Sequence, residues 1–179
     1  MQKTRAGLIA TAIISLPFNA SGETYQASSD DEFTDLFSYS RSGEEPPDIA
    51  FLDQNGDSIS LAGFGERLLV VNFWASWCAP CIAEMPALDH LNQELKFREG
   101  VVIAINTDFD FEIGRQWLNQ NDISTLGHYW DNSGNAFFDA GGSGLPYTLI
   151  ISAERGIIAE VFGDAPWDIP EITNFISSL

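Results

Sequence analysis

The chain has 179 residues, enough for one domain with a substantial core and too few for two comfortable ones. Apolar residues make up 45% of it, so folding does not depend on a disulfide framework. Its 26 acidic and 8 basic residues, a net charge of −18, exclude nucleic acid as a partner, because phosphate recognition needs clustered Lys and Arg.

Residues 1–22 carry Lys3 and Arg5, an uncharged apolar run from Ala6 to Phe18, and small residues around Ala20 to Gly22. This is the pattern of a signal peptide, and the run is shorter than the roughly 20 apolar residues of a membrane span. The expectation is export to the periplasm, with an uncleaved inner-membrane tether as the alternative. Without this segment 26 acids face six bases, a net charge of about −20. Residues 23–47 form an acidic, Ser-rich extension ending in "SGEEPP". Within it Phe33, Leu36 and Phe37 recur at helical spacing behind a serine cap, which predicts one short amphipathic helix packed on the domain.

The domain itself is expected over residues 48–179. "IAFLDQNGDSISL" reads as two short strands around an Asn-Gly turn. "RLLVVNFWA" is a nearly unbroken apolar run, as in a strand buried on both faces. Ala87, Leu88, Leu91 and Leu95 then mark a long helix reaching about Arg98, with Pro86 inside it as an expected kink. "VVIAINT" is the next strand and "FEIGRQWLNQN" the next helix. "GHYWDNSGNAFFDAGGSG" is rich in turn residues and offers one short strand at most, while the Gly141 to Gly144 run reads as a flexible approach to Pro146. "PYTLIIS" and "GIIAEVFG" form a strand pair, and a closing helix turns Ile169, Ile172, Phe175 and Ile176 inward. This order of elements predicts a three-layer α/β domain.

The two cysteines, Cys78 and Cys81, are the only ones in the chain. A haem attachment needs His after the second cysteine, where Ile82 stands. A structural zinc needs four ligands, and only His90 and His128 are left to complete it, neither at useful spacing. A staple that encloses two residues gains little loop entropy. What remains is redox chemistry. A buried strand delivers Cys78 to the start of a helix with Pro80 in its first turn, where free N–H groups and the dipole favour a thiolate. Cys78 is thus expected to be exposed and nucleophilic, and Cys81 shielded and second to act. No small-molecule cofactor is implied, because the cysteine pair is the redox group.

"VVNFWASWCAPC", then "EMPALD", and later "GLPYTLIISAERGIIAEVFGDAPW" resemble the thioredoxin fold, and within it the TlpA/ResA-like thiol-disulfide oxidoreductases, nearest the TlpA branch. The resemblance covers roughly residues 46–179. It implies a central mixed sheet in an α/β/α arrangement. It also implies that Pro146 is a cis-proline facing the disulfide, and that Leu145 presents its backbone to a substrate strand. Trp77 is taken as a substrate-facing ring and Trp74 as core. General thioredoxins have a buried aspartate where this chain has Asn72, so the usual base for Cys81 is missing. Glu84 matches a glutamate of the TlpA/ResA-like proteins, and three residues beyond Cys81 it faces the same side of the helix. It is either the proton acceptor or a surface glutamate near the helix start.

The function expected is a periplasmic reductase of protein disulfides. It would act as a monomer on copper-chaperone or cytochrome-assembly clients and be recharged by a membrane electron donor. A disulfide oxidase of the same fold is the alternative within enzymes. A noncatalytic binding or metal-carrying domain is the alternative outside them.

Overall fold

A computed structural model describes residues 34–65 and 68–179. The proposed signal segment and the start of the acidic extension, Phe33 included, lie outside the described residues. No described helix is long and apolar enough to cross a membrane.

Among the described residues seven strands form one sheet: β1 (Ala50–Leu52), β2 (Ser58–Ser60), β3 (Leu68–Trp74), β4 (Gly100–Asn106), β5 (Tyr129–Trp130), β6 (Tyr147–Ser152) and β7 (Gly156–Phe162). Their order is β2-β1-β5-β4-β3-β6-β7. β3, β4 and β5 are parallel, while β6, β7 and the β1–β2 hairpin run antiparallel to their neighbours, which makes the sheet mixed. The hairpin follows from "DQNGD": Gly56 takes φ +82°, and the Asp53 carboxylate accepts the Asn55 and Asp57 amides.

Successive residues of the central strands face opposite ways. Leu69, Val71 and Phe73 join Ile103, Ile105, Leu149 and Ile151 in one apolar layer. Ala136 of α3 (Asn135–Asp139) and Ala140, just beyond that helix, complete it. Val70, Asn72 and Trp74 face the other way, toward α1 (Ala79–Lys96), which buries Leu88, Leu91 and Leu95. α2 (Phe111–Gln120) lays Trp117 edge-on to Trp74 at 5.5 Å and brings Gly114 so close to Asn106 that a Cβ would clash with its amide. α4 (Pro170–Ser177) buries Ile172 and Ile176. Helices cover both faces of a mixed sheet, the α/β arrangement expected from the order of elements.

Two local features differ from the sequence reading. The turn-rich stretch before Pro146 contains the five-residue α3, whose N-cap Gly134 supplies no side-chain bond. The Asp131 carboxylate holds this turn instead by accepting the Phe137 amide at 3.1 Å. In the extension, the predicted amphipathic helix is only a 3-10 turn, Thr34–Leu36, among the described residues. The following residues run along β7. Ser38 bridges Glu160, and Gly43 and Glu44 exchange backbone bonds with Ile157. This segment satisfies the open edge of β7, which explains why extended backbone is preferred there to helix. α1 continues through Pro86, which stands on its exposed face.

Candidate active site

The register sets the site at one end of the sheet. Trp74 pairs with Asn106, Phe73 with Tyr147, and Tyr147 with Phe162. The chain leaving β3 toward Cys78, the chain leaving β4, and the chain entering β6 from Pro146 therefore converge beyond this row.

Cys78 and Cys81 are joined as a disulfide with Cα atoms 5.2 Å apart. Cys78 is the N-cap of α1, and its Sγ accepts the Cys81 amide at 3.3 Å, the role a serine or aspartate oxygen plays at other helix starts. Pro80 occupies the first turn, where no N–H is required. The expected exposure of Cys78 needs correction. Turned back onto the helix start, Cys78 is only 6% exposed, against 0% for Cys81, so the order holds but the opening is narrow. Beside it Trp77 stands 72% exposed, whereas Trp74 is buried in the core.

The loop carrying the cysteines is pinned from β4. Asp108, buried just beyond that strand, accepts the Ser76 amide at 3.0 Å, the Ser76 hydroxyl at 3.1 Å and the Asn106 amide at 2.8 Å. Sequence reading passed over Asp108, because nothing local marks an aspartate after a buried strand as a tie to another loop. Asp108→Ala would orphan these donors and should lower stability by about 2–3 kcal/mol, measured by urea unfolding of the oxidised protein.

Glu84 is buried, and the surface reading of it is overturned. Its Oε1 accepts Asn72 Nδ2 at 2.9 Å, and its Oε2 accepts the Ala165 amide at 3.0 Å and the Trp167 indole N–H at 2.7 Å. Burial pushes its pKa from 4.5 up to about 7, against the pull of these donors. Asn72 Nδ2 also donates to Thr148 Oγ1 at 2.9 Å. Among the described residues, Asn72 Oδ1 and Trp74 Nε1 are buried without a hydrogen-bond partner, both on the strand that leads to the disulfide.

The Leu145–Pro146 bond is cis, Pro146 is buried and Leu145 half-buried. The Pro146 carbonyl accepts the Gly163 amide at 3.0 Å, tying the start of β6 to the end of β7. The glycine run before it is closely packed at Gly141 and Gly142 and open at Gly144. Gly141 has φ +101°, and a Cβ there would lie 2.7 Å from Arg41 Nη1. Arg41 donates to the Ala140 carbonyl at 2.8 Å and pairs with the buried Glu160 at 3.4 Å. Tyr147 Oη lies 2.6 Å from Glu160 Oε1, and burial with this carboxylate holds the phenol well above its usual pKa. The extension thus fastens the loop that leads to Pro146. His90 is exposed on α1 and His128 half-buried before β5, where burial lowers its pKa. Among the described residues no three His, Cys, Asp or Glu side chains are grouped as a metal would require.

A vicinal cysteine pair capping a helix at the end of a mixed sheet defines a thioredoxin-fold thiol-disulfide oxidoreductase. Residues 42–161 match the AhpC/TSA family, and the chain belongs to it. It is 28% identical over 122 residues to the thiol-disulfide oxidoreductase ResA of Bacillus thuringiensis, covering 68% of this chain and 70% of that protein. It is 26% identical over 125 residues to the thioredoxin-like protein YneN of Bacillus subtilis, covering 66% and 69%. Among solved structures it resembles a thiol:disulfide interchange protein from Bacteroides sp., with TM-score 0.65, 21% identity, and 77% and 89% of the two chains covered. A DsbF homologue from Corynebacterium diphtheriae gives TM-score 0.65 at 24% identity, covering 87% and 99%. These relatives agree with the TlpA/ResA-like resemblance.

Proposed function

We propose that this protein is a periplasmic reductase of protein disulfides in which Cys78 attacks, Cys81 resolves and Glu84 takes the Cys81 proton. The observation that carries this reading is the buried Glu84 carboxylate, titrating near 7, one helical turn below Cys81. The Cys78 thiolate attacks a client disulfide, forming a mixed disulfide and releasing one client thiol. Cys81 then gives its proton to Glu84 and attacks Cys78 Sγ. That step forms the Cys78–Cys81 disulfide and expels the second client sulfur as a thiolate, which is protonated at the expense of the proton held by Glu84, with two electrons passed to the client. A membrane donor restores the dithiol. Pro146 and the Leu145 backbone align the client strand, with Trp77 against it.

Asn72 suits this cycle as a two-way partner. Its Nδ2 donates to the carboxylate in the orientation described. A flip of the amide would bring the unpartnered Oδ1 to the protonated acid, and the Thr148 hydroxyl can serve either orientation.

Export by residues 1–22 is part of the proposal, as are clients in the copper or cytochrome branch of oxidase assembly. Support comes from the amino-terminal pattern and from relatives named thiol-disulfide oxidoreductase. The test is trapping. Cys81→Ser should stall client proteins as mixed disulfides on Cys78, released by dithiothreitol and identified by mass spectrometry. No adduct with Cys81→Ser, or equal adducts with Cys78→Ser, would overturn the reading.

A further inference from the structure

Among the described residues five large apolar side chains stand exposed: Trp77 at 72%, Phe97 at 88%, Phe109 at 88%, Phe138 at 68% and Phe162 at 56%. Phe97 lies at the far end of α1. The other four gather at the disulfide end of the sheet. Trp77 and Phe109 each stand three residues beyond the paired Trp74 and Asn106, on loops joined through Ser76 and Asp108. Phe162 pairs with Tyr147 beside Pro146, their rings 5.2 Å apart. Phe138 packs on Phe137, whose ring meets Phe73 and Tyr147 from the same row. Exposed aromatic groups gathered at one end of a sheet mark a surface that another molecule covers.

The charge around these rings is of one sign. Phe109 is followed by the exposed Asp110, Phe138 by the exposed Asp139, and Phe162 two residues later by the exposed Asp164. The described cations are elsewhere or already paired. Arg41 is held by Glu44 and Glu160, and Arg115 by Glu112. Lys96 and Arg98 lie at the opposite end of α1, some 27 Å away at the helical rise. Arg155 sits in the β6–β7 turn at the other end of the sheet and bonds to the Leu179 carbonyl.

We infer that Phe109, Phe138 and Phe162 form, at the disulfide end of the sheet, an aromatic and acidic rim that selects extended client segments whose cysteine is flanked by apolar and basic side chains. This deepens the proposed reductase reading and rests on it. Apolar side chains cover the rings, while Lys or Arg meets the ring faces and the neighbouring carboxylates. A client rich in Asp or Glu near its cysteine meets repulsion at all three positions.

The test uses the reduced full-length protein and three disulfide substrates. Two are peptides, one with Leu and Lys around its cysteine and one with Ser and Glu; the third is hydroxyethyl disulfide, too small to reach the rim. For the wild-type protein, kcat/KM should be at least tenfold higher for the Leu/Lys peptide than for the Ser/Glu peptide. In Phe109→Ser/Phe138→Ser that ratio should fall to near one, and the Leu/Lys peptide should lose at least tenfold relative to hydroxyethyl disulfide. Phe162→Ser should move in the same direction by a smaller factor. Equal wild-type rates for the two peptides, or a preference that survives the double substitution, would overturn the rim. So would concentration-dependent dimerisation lost in the double variant without a change in peptide preference, which would assign the rings to a second copy of the chain. No reduction of hydroxyethyl disulfide by the wild-type protein would instead overturn the exchange reading itself.

Discussion

Glu84→Gln should slow resolution of the mixed disulfide by about 100-fold at neutral pH, within the usual range for loss of a general base. Single-turnover kinetics would show the client captured on Cys78 at least as fast as in the wild type. A buried negative charge near the cysteines has been removed, and thiolate is then easier to form. Release of the second client thiol would lag. In the wild type the release rate should rise with pH through about 7 as Glu84 ionises, and in the variant this inflection should vanish. Trp167→Phe removes a donor that favours the carboxylate, so it should move the inflection above 7 without abolishing it. A release rate and pH profile unchanged in both variants would return Glu84 to a structural role.

The same buried carboxylate has a signature in stability. Its folded pKa of about 7 lies above the ordinary 4.5, so the native state holds this proton more tightly than the unfolded chain does. Ionising Glu84 therefore costs stability. The cost is absent below about pH 4.5, develops between 4.5 and 7, and is complete above 7, at about 3 kcal/mol. Urea unfolding of the oxidised protein at pH 5 and pH 8 should show the wild type losing stability relative to Glu84→Gln across that interval. Glutamine fits the site because a flipped Asn72 amide can present its unpartnered Oδ1 to the new NH₂ group.

What could be read from the sequence was what depends on near neighbours. The apolar run of β3, the Asn-Gly hairpin and the cysteines ahead of a helix with proline in its first turn are written within a few residues of one another. Glu84 was visible as a candidate through its spacing from Cys81, but its environment was not. Ala165 and Trp167, which hold it, lie 81 and 83 residues away in the segment before α4. Arg41 and Asp108 were missed for the same reason. Arg41 reaches Ala140 across 99 residues, and Asp108 reaches Ser76 across 32. The short helix α3 escaped because its start is held by Asp131 from outside, within a stretch whose glycines and asparagines read as turn. Cys78 looked exposed because sequence shows only that it begins a helix, not that its sulfur folds back onto the Cys81 amide.

The reduction potential should fall on the reducing side, nearer to thioredoxin at about −270 mV than to the strong oxidant DsbA at about −120 mV. A disulfide becomes oxidising when its reduced form is stabilised, chiefly through a stable thiolate on the first cysteine. Here the two residues between the cysteines are Ala79 and Pro80, and neither supplies a cation. The helix start offers its amides, one of them the Cys81 N–H that reaches Cys78 Sγ. Against that contribution stands the buried Glu84 carboxylate, one helical turn beyond Cys81, whose charge opposes thiolate formation. The interval between the two reference potentials is about 150 mV, or roughly 7 kcal/mol for a two-electron couple, whereas a helix-end contribution is on the order of 1 kcal/mol. The helix terminus alone therefore cannot carry this site to the oxidising end. Equilibration with glutathione buffers, read by alkylation of Cys78 and Cys81, measures the value directly. A potential above about −180 mV, the level of protein disulfide isomerase, would make the protein an oxidase. In Glu84→Gln the potential at neutral pH should rise, because removing the opposing charge stabilises the Cys78 thiolate and with it the reduced form.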